Sequence, residues 1–247
     1  MTDETYRIET IAPLLNVANF LELVERVINS PNHLPSMAVF YGYSGFGKTF
    51  SAKYAARMHR ALFLEVGYSW TISKFCNALL SELGCELKGT ISGKIDRIID
   101  ALKMAPNRPL IIDEFDHFMT KNGVEIVREI HDKTDTPIIL IGEELLPQSL
   151  KQFERFHNRI IAWEPALQTT MEDAKELAKI HCPDILIDEN LLHDAFKASG
   201  GRVRRICTNL ALIQEEADNA GIVKIGQSEW GSKPFFVGQP PVRRRFA

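Results

Sequence analysis

The stretch YGYSGFGKTF, residues 41–50, follows the apolar run MAVF (37–40) and leads into SAKYAARMHR (51–60). It reads as the end of a buried strand, a glycine-rich turn and the start of a helix. Gly42, Gly45, Gly47, Lys48 and Thr49 satisfy the pattern G-x-x-x-x-G-K-[ST] in full. Glycines let backbone N–H groups close around phosphate oxygens, and the helix that follows points the positive end of its dipole at them. Lys48 then reaches the outer phosphates, and the Thr49 hydroxyl holds Mg²⁺. With Tyr43, Ser44, Phe46 and Phe50 between and beside them, these residues form the expected nucleotide-binding segment. The loop fixes phosphates but is silent on what the phosphate energy is used for.

A second motif lies 65 residues beyond Lys48, in RPLIIDEF (108–115). Leu110, Ile111 and Ile112 form a short apolar strand that ends in two acids. Asp113 is expected to hold Mg²⁺, partly through its water shell. Glu114 is expected to orient and polarise an attacking water. A phosphate loop combined with such an acid pair implies hydrolysis.

Outward from these two motifs, helices and strands alternate. ANFLELVERVI places Phe20, Leu23, Val24 and Val27 at helical spacing, and SPNHLP ends that helix. ALFLEV is a second strand. TISKFCNALLSELG and GKIDRIIDALKM are amphipathic helices, the first stopped by Gly84. A helix around GVEIVREIHDK precedes strand TPIILIG, and RIIAWEP closes the series. Nearly continuous apolar strands between helices predict an α/β fold, a parallel sheet covered on both faces. After Pro165 the pattern changes to three helical stretches, 170–181, 188–198 and 202–220. The expected organisation is a lead-in over 1–35, an α/β core over 36–165, a small all-helical lid over 166–222 and a basic C-terminal tail, extended or mobile, over 223–247.

Composition limits the class. With 247 residues, 45% of them hydrophobic, the chain can bury a sizeable core. The net charge of −3 does not announce a nucleic-acid binder, but it is uneven. Residues 202–247 carry +4, including Arg243, Arg244 and Arg245, and the rest carries −7. Cys76, Cys85, Cys182 and Cys207 show neither C-x-x-C spacing nor histidines at zinc-site distances. That usage suits a reduced, cytoplasmic protein. The polar N-terminus reads as no signal peptide, and no apolar run approaches the ~20 residues that span a membrane.

Taken together, the phosphate loop, the acid pair and the helical end resemble the AAA+ ATPases over about residues 35–220. The resemblance implies ATP and Mg²⁺ as ligands, an arginine finger offered to the neighbouring subunit, a sensor after the fourth core strand and a second sensor on the lid. FERFHNRI (153–160) stands where the family carries its finger; Arg155 fits the setting and Arg159 is the alternative. SGGRVRRI (199–206) resembles the start of the last lid helix, which makes Arg204 the second sensor. The first sensor departs from the pattern: Glu143 and Glu144 follow IILIG where many relatives have Asn, Thr or Ser. An acid there is repelled by a triphosphate unless Mg²⁺, Lys or Arg neutralises it.

Within that superfamily the stretches FYGYSGFGKTFSAKYAA, YSWTISKFCNALLSELG, LIIDEFDHF, TPIILIGEE and LKQFERFHNRI look like the transposition ATPases, the Mu B protein of transposing phages and its TniB/TnsC-type relatives. Such a likeness implies self-assembly into rings or helical filaments on duplex DNA with little sequence preference. It also implies help in selecting the target site, activation of a transposase and release on hydrolysis, in a bacterial or phage-infected cell. Lys88, Lys94 and Lys121 are the candidate DNA contacts, through the phosphate backbone. A helicase loader or replication initiator of the same superfamily shares the ATP switch and the DNA binding. A P-loop kinase is the alternative from another class, though a finger-like Arg155 and a glutamate after Asp113 favour hydrolysis over transfer.

Overall fold

The computed structural model describes residues 14–31 and 33–239, which fall into two compact units, one of Asn16–Leu167 and one of the part from Gln168 onward with Leu14 and Leu15. In the first unit the order is α1 (Leu15–Ile28), β1 (Met37–Tyr41), α2 (Lys48–Met58), β2 (Leu62–Glu65), α3 (Ile72–Glu82), α4 (Ile91–Lys103) and β3 (Leu110–Asp113). A 3₁₀ turn (Phe115–Phe118) follows, then α5 (Lys121–Thr134), β4 (Ile138–Gly142), α6 (Leu146–Leu150), α7 (Glu154–His157) and β5 (Ile160–Pro165). The five strands make one sheet in the order β2-β3-β4-β1-β5, and every pairing is parallel.

Successive side chains of a strand point to opposite faces, and here both faces are buried. Met37 and Val39 of β1 enter one core while Ala38 and Phe40 enter the other. Leu110 and Ile112 part from Ile111 in the same way, as do Ile138 and Leu140 from Ile139 and Ile141. This is why the strands carry unbroken apolar runs. Helices α3, α4 and α5 cover the first face through Phe75, Leu79, Ile98 and Val127. Helices α1 and α2 cover the second through Phe20, Val24, Ala52 and Ala55, and the Phe20 ring meets Phe40 edge-on at 5.0 Å. Thr71, Thr90 and Thr120 cap α3, α4 and α5, each hydroxyl accepting the N–H three residues on.

In a parallel sheet all carboxyl ends lie along one edge, the usual place for a ligand. That edge gathers the glycine loop after β1, the acids at the end of β3 and the turn after β4.

The second unit holds α8 (Met171–His181), β6 (Leu186–Ile187), α9 (Glu189–Ser199), α10 (Val203–Ala220), β7 (Lys224–Ile225) and α11 (Gln227–Trp230). Helices α8, α9 and α10 are the three expected after Pro165. The sequence reading has no counterpart for the short parallel pair β6–β7. The residues after 223, expected to be an extended or mobile tail, are folded in as far as they are described. Trp230 is buried and stacks on Phe235 at 5.0 Å, and its Nε1–H donates to the Lys233 carbonyl. Asn209, fully buried on α10, binds both the N–H and the carbonyl of Phe236. Arg243, Arg244 and Arg245 lie outside the described residues. Among the described residues no helix is long and apolar enough to cross a membrane.

Candidate functional site

The loop between β1 and α2 is shaped by its glycines. Gly45 and Gly47 sit at φ of 89° and 84°, left-handed values that side chains resist. Gly47 precedes α2 with no side-chain cap and no acid in the helix's first turn. The first N–H groups of α2 therefore keep their donor capacity and their positive field, which suits an anion. Phe46 turns its ring inward, buried with the α1–α2 core and edge-on to Tyr43, so it anchors the loop. Tyr43, Ser44 and Phe50 are exposed.

Lys48 opens α2 and folds back over the loop. Its ammonium donates to the carbonyls of Gly42 and Tyr43, the latter at 3.0 Å. Burial pushes its pKa down, while Glu114, Asp113, Glu143 and Asp116 pull the other way. An ammonium held by two backbone carbonyls keeps a third N–H to offer a phosphate oxygen.

Asp113 is buried at the end of β3. Its Oδ1 accepts the Glu114 N–H at 2.9 Å, but Oδ2 has no hydrogen-bond partner among the described residues. Burial raises the Asp113 pKa; the nearby Thr49 hydroxyl and the Glu114 N–H favour the charged form, although Thr49 closes no bond of normal geometry onto it. A buried acceptor without a donor is costly in an ordinary strand end. Beside Thr49 it fits a cation. Among the described residues no three His, Cys, Asp or Glu are grouped to hold a metal by themselves. A hard ion at Thr49 and Asp113 would complete its oxygen shell from phosphate and water, which is how Mg²⁺ is commonly held.

Glu114 has a left-handed backbone, φ 54° and ψ 40°, unusual for a residue with a Cβ. This turn ends the strand abruptly and starts the 3₁₀ turn. Burial and the neighbouring Asp113 raise its pKa, opposed by His117 and Lys48. Such a carboxylate accepts a proton more readily than a solvated one.

Elsewhere the predicted residues are distributed as follows. Glu143 follows β4, exposed, with its carboxylate near enough to act on Lys48. Arg155, on α7, is exposed and has no acidic partner among the described residues. Arg159 grips Asp132 through Nε at 2.9 Å and Nη2 at 3.0 Å, and its Nη1 donates to the Arg155 carbonyl. Three of its five N–H donors are engaged in these bonds, which tie the side chain to Asp132 and to α7. Arg204 is exposed in the first turn of α10, in the second unit. Lys88 and Lys121 are exposed. Lys94, expected to contact DNA, is 7% exposed: its stem lies in the α3–α4 packing and its ammonium approaches Ser73 Oγ at 3.5 Å. Little of Lys94 is left for a phosphate backbone to touch.

Two side chains that the sequence reading passes over hold the site segments. Asn16 on α1 donates to the carbonyls of Phe46 and Leu167 and accepts the Leu167 N–H, tying the glycine loop to the chain leaving β5. Nothing in LNVANF signals this. Asp116, third after Asp113, accepts the Glu143 N–H at 2.7 Å. A third acid in DEFD was its signal.

Residues 32–150 match the family model described as the AAA domain. The fold is that of a P-loop AAA+ ATPase. Solved structures of similar fold include the Orc1 protein of Aeropyrum pernix in complex with DNA (14% identity, 87% of this chain and 62% of that one, TM-score 0.63). Others are Cdc6p from Pyrobaculum aerophilum (12%, 86% and 64%, TM-score 0.64) and the RuvB Holliday junction branch migration motor of Thermotoga maritima (18%, 87% and 66%, TM-score 0.61). The chain spans less than two thirds of the length of each of these proteins. No curated protein matches the sequence.

Proposed function

We propose that this AAA+ chain is an ATPase that assembles on duplex DNA in its ATP state, presents that DNA to a transposase, and disassembles on hydrolysis. The observation that carries the ATPase reading is the unpaired, buried Asp113 Oδ2 beside Thr49, with Lys48 and Glu114 around it. Backbone N–H groups of the glycine loop and Lys48 hold the phosphates of ATP. Thr49 and Asp113 hold Mg²⁺, which when bound withdraws charge from the phosphate oxygens. Glu114 orients water and takes its proton on the carboxylate. Arg155 reaches a neighbouring subunit's site and stabilises charge there, while Arg204 serves as sensor on the lid. Lys88 and Lys121 face the DNA backbone.

The transposase assignment is supported by the likeness to Mu B and TniB/TnsC-type sequences. The fold likeness to Orc1 in complex with DNA and to Cdc6p favours a second reading, a replication-initiator or helicase-loader ATPase. Both need the same first test. ATP turnover and negative-stain electron microscopy are compared with and without duplex DNA, for the wild type and Lys48→Ala. Expected are DNA-stimulated turnover and ordered assemblies in ATP, both lost in the variant. Monomers under every condition would remove the assembly reading. Retention by immobilised transposase or by replicative helicase then separates the two outputs.

A further inference from the structure

The turn after β4 carries the atypical acid Glu143, and its backbone is held. The Glu143 N–H donates to Asp116 Oδ2 at 2.7 Å, joining the turn after β4 to the turn after β3 across 27 residues. Gly142 shows how tight the seat is. A Cβ built on it would lie 2.1 Å from the same Oδ2 and 2.6 Å from Leu146 Cδ2. Gly142 is not among the positive-φ residues, so its backbone conformation does not call for glycine; the space does. The Gly142 carbonyl in turn accepts the N–H of Gly42, the first glycine of the phosphate loop, at 3.3 Å. One carboxylate therefore heads a run of contacts from the acid motif through the β4 turn to the phosphate loop.

The geometry points to Asp116 as a positioning residue for hydrolysis: seated on Gly142, it fixes the Glu143 turn against the Asp113–Glu114 acid pair and against the phosphate loop. The inference rests on the ATPase reading above, because the register it fixes matters to chemistry only where a triphosphate is cleaved. An ordinary turn cap would contribute stability alone. A positioning residue contributes to turnover, since small displacements of groups around a reacting phosphate cost rate.

The test compares wild type with Asp116→Asn, Asp116→Ala, Gly142→Ala and the double Asp116→Ala/Gly142→Ala variant. It reads kcat and KM for ATP in the presence of duplex DNA, the melting temperature, and hydrogen exchange of the Glu143 amide. Asp116→Ala is expected to lower kcat about tenfold or more while KM moves less than about threefold. Asp116→Asn keeps an oxygen acceptor and recovers at least about half of kcat, again judged against geometric cost. Gly142→Ala behaves like Asp116→Ala, and the double variant is no slower than the slower single one, because Asp116→Ala removes the tighter clash and leaves only the end of the flexible Leu146 side chain to turn aside. Wild-type kcat in Asp116→Ala, an asparagine variant as slow as the alanine one, or losses that multiply in the double variant would each overturn the proposal. Exchange at the Glu143 amide should quicken about tenfold or more in Asp116→Ala, and stay near the wild-type rate in Asp116→Asn. Unchanged exchange in Asp116→Ala overturns the clamp whatever the activity. Absent turnover in the wild type overturns the ATPase reading instead, and the exchange measurement then decides the clamp by itself.

Discussion

His131 lies buried in α5, and the N–H of Ser36 donates to its Nε2 at 3.2 Å. An amide N–H can only donate, so Nε2 carries the lone pair and the ring proton sits on Nδ1, which faces Asp132 Oδ1 at 3.4 Å. Protonating the ring would break the Ser36 bond and bury a charge. Burial accordingly holds the His131 pKa below its ordinary 6.5, against the pull of Asp132 and Asp135 and with a smaller push from Arg159. With the folded value depressed, the stability it contributes is complete above 6.5 and is lost as pH falls below 6.5 and through the folded pKa. The unfolding midpoint should therefore decline between pH 7 and 5, and His131→Gln, which keeps an acceptor near Ser36, should flatten that decline. A denaturation series at several pH values checks this; equal slopes for both proteins would refute it.

Among the elements, the last residues described are the least expected. Their docking depends on Asn209, whose carboxamide meets both backbone groups of Phe236 and also Ser199 Oγ. Asn209→Ala strands those groups, and should cost about 1–3 kcal/mol and expose the chain near Phe235 and Phe236 to chymotrypsin. Urea denaturation and timed proteolysis read the two effects; an unchanged digestion pattern would count against docking through Asn209.

The strands were legible because a parallel sheet buried on both faces demands apolar residues at every position, and Ile111–Ile112 and Ile138–Ile141 oblige. The phosphate loop was legible because glycine adopts the left-handed backbone at Gly45 and Gly47 most readily, and the motif places it there. Lys94 is more covered than expected although a sign was present: it stands four residues before Ile98, on the apolar stripe of α4, where a long stem packs before its charge reaches water. Asn16 and Phe236 were not legible, since their partners lie 151 and 27 residues away and no local pattern encodes such pairs. The strained backbone of Glu114 was equally silent in the letters DEF.

For the whole molecule, the division of labour between subunits is the central claim. Glu114 and Asp113 stand together with Lys48 at one edge of the sheet. Arg155 stands exposed on α7 with no acid to hold it among the described residues, whereas Arg159 is tied to Asp132. In the proposed function Arg155 completes a neighbour's site, which its exposure on α7 allows. Mixing two inactive variants tests it directly. Glu114→Gln keeps a finger but loses the water-orienting carboxylate; Arg155→Ala keeps the carboxylate but loses the finger. Each alone should turn over ATP at least about a hundredfold more slowly than wild type, the lower range for losing a finger or a catalytic base. In an equimolar mixture about a quarter of the interfaces pair an intact site with an intact finger, as random head-to-tail assembly requires. ATPase activity should then rise well above either parent, towards that fraction of wild type. A mixture no more active than its two components would contradict the shared site.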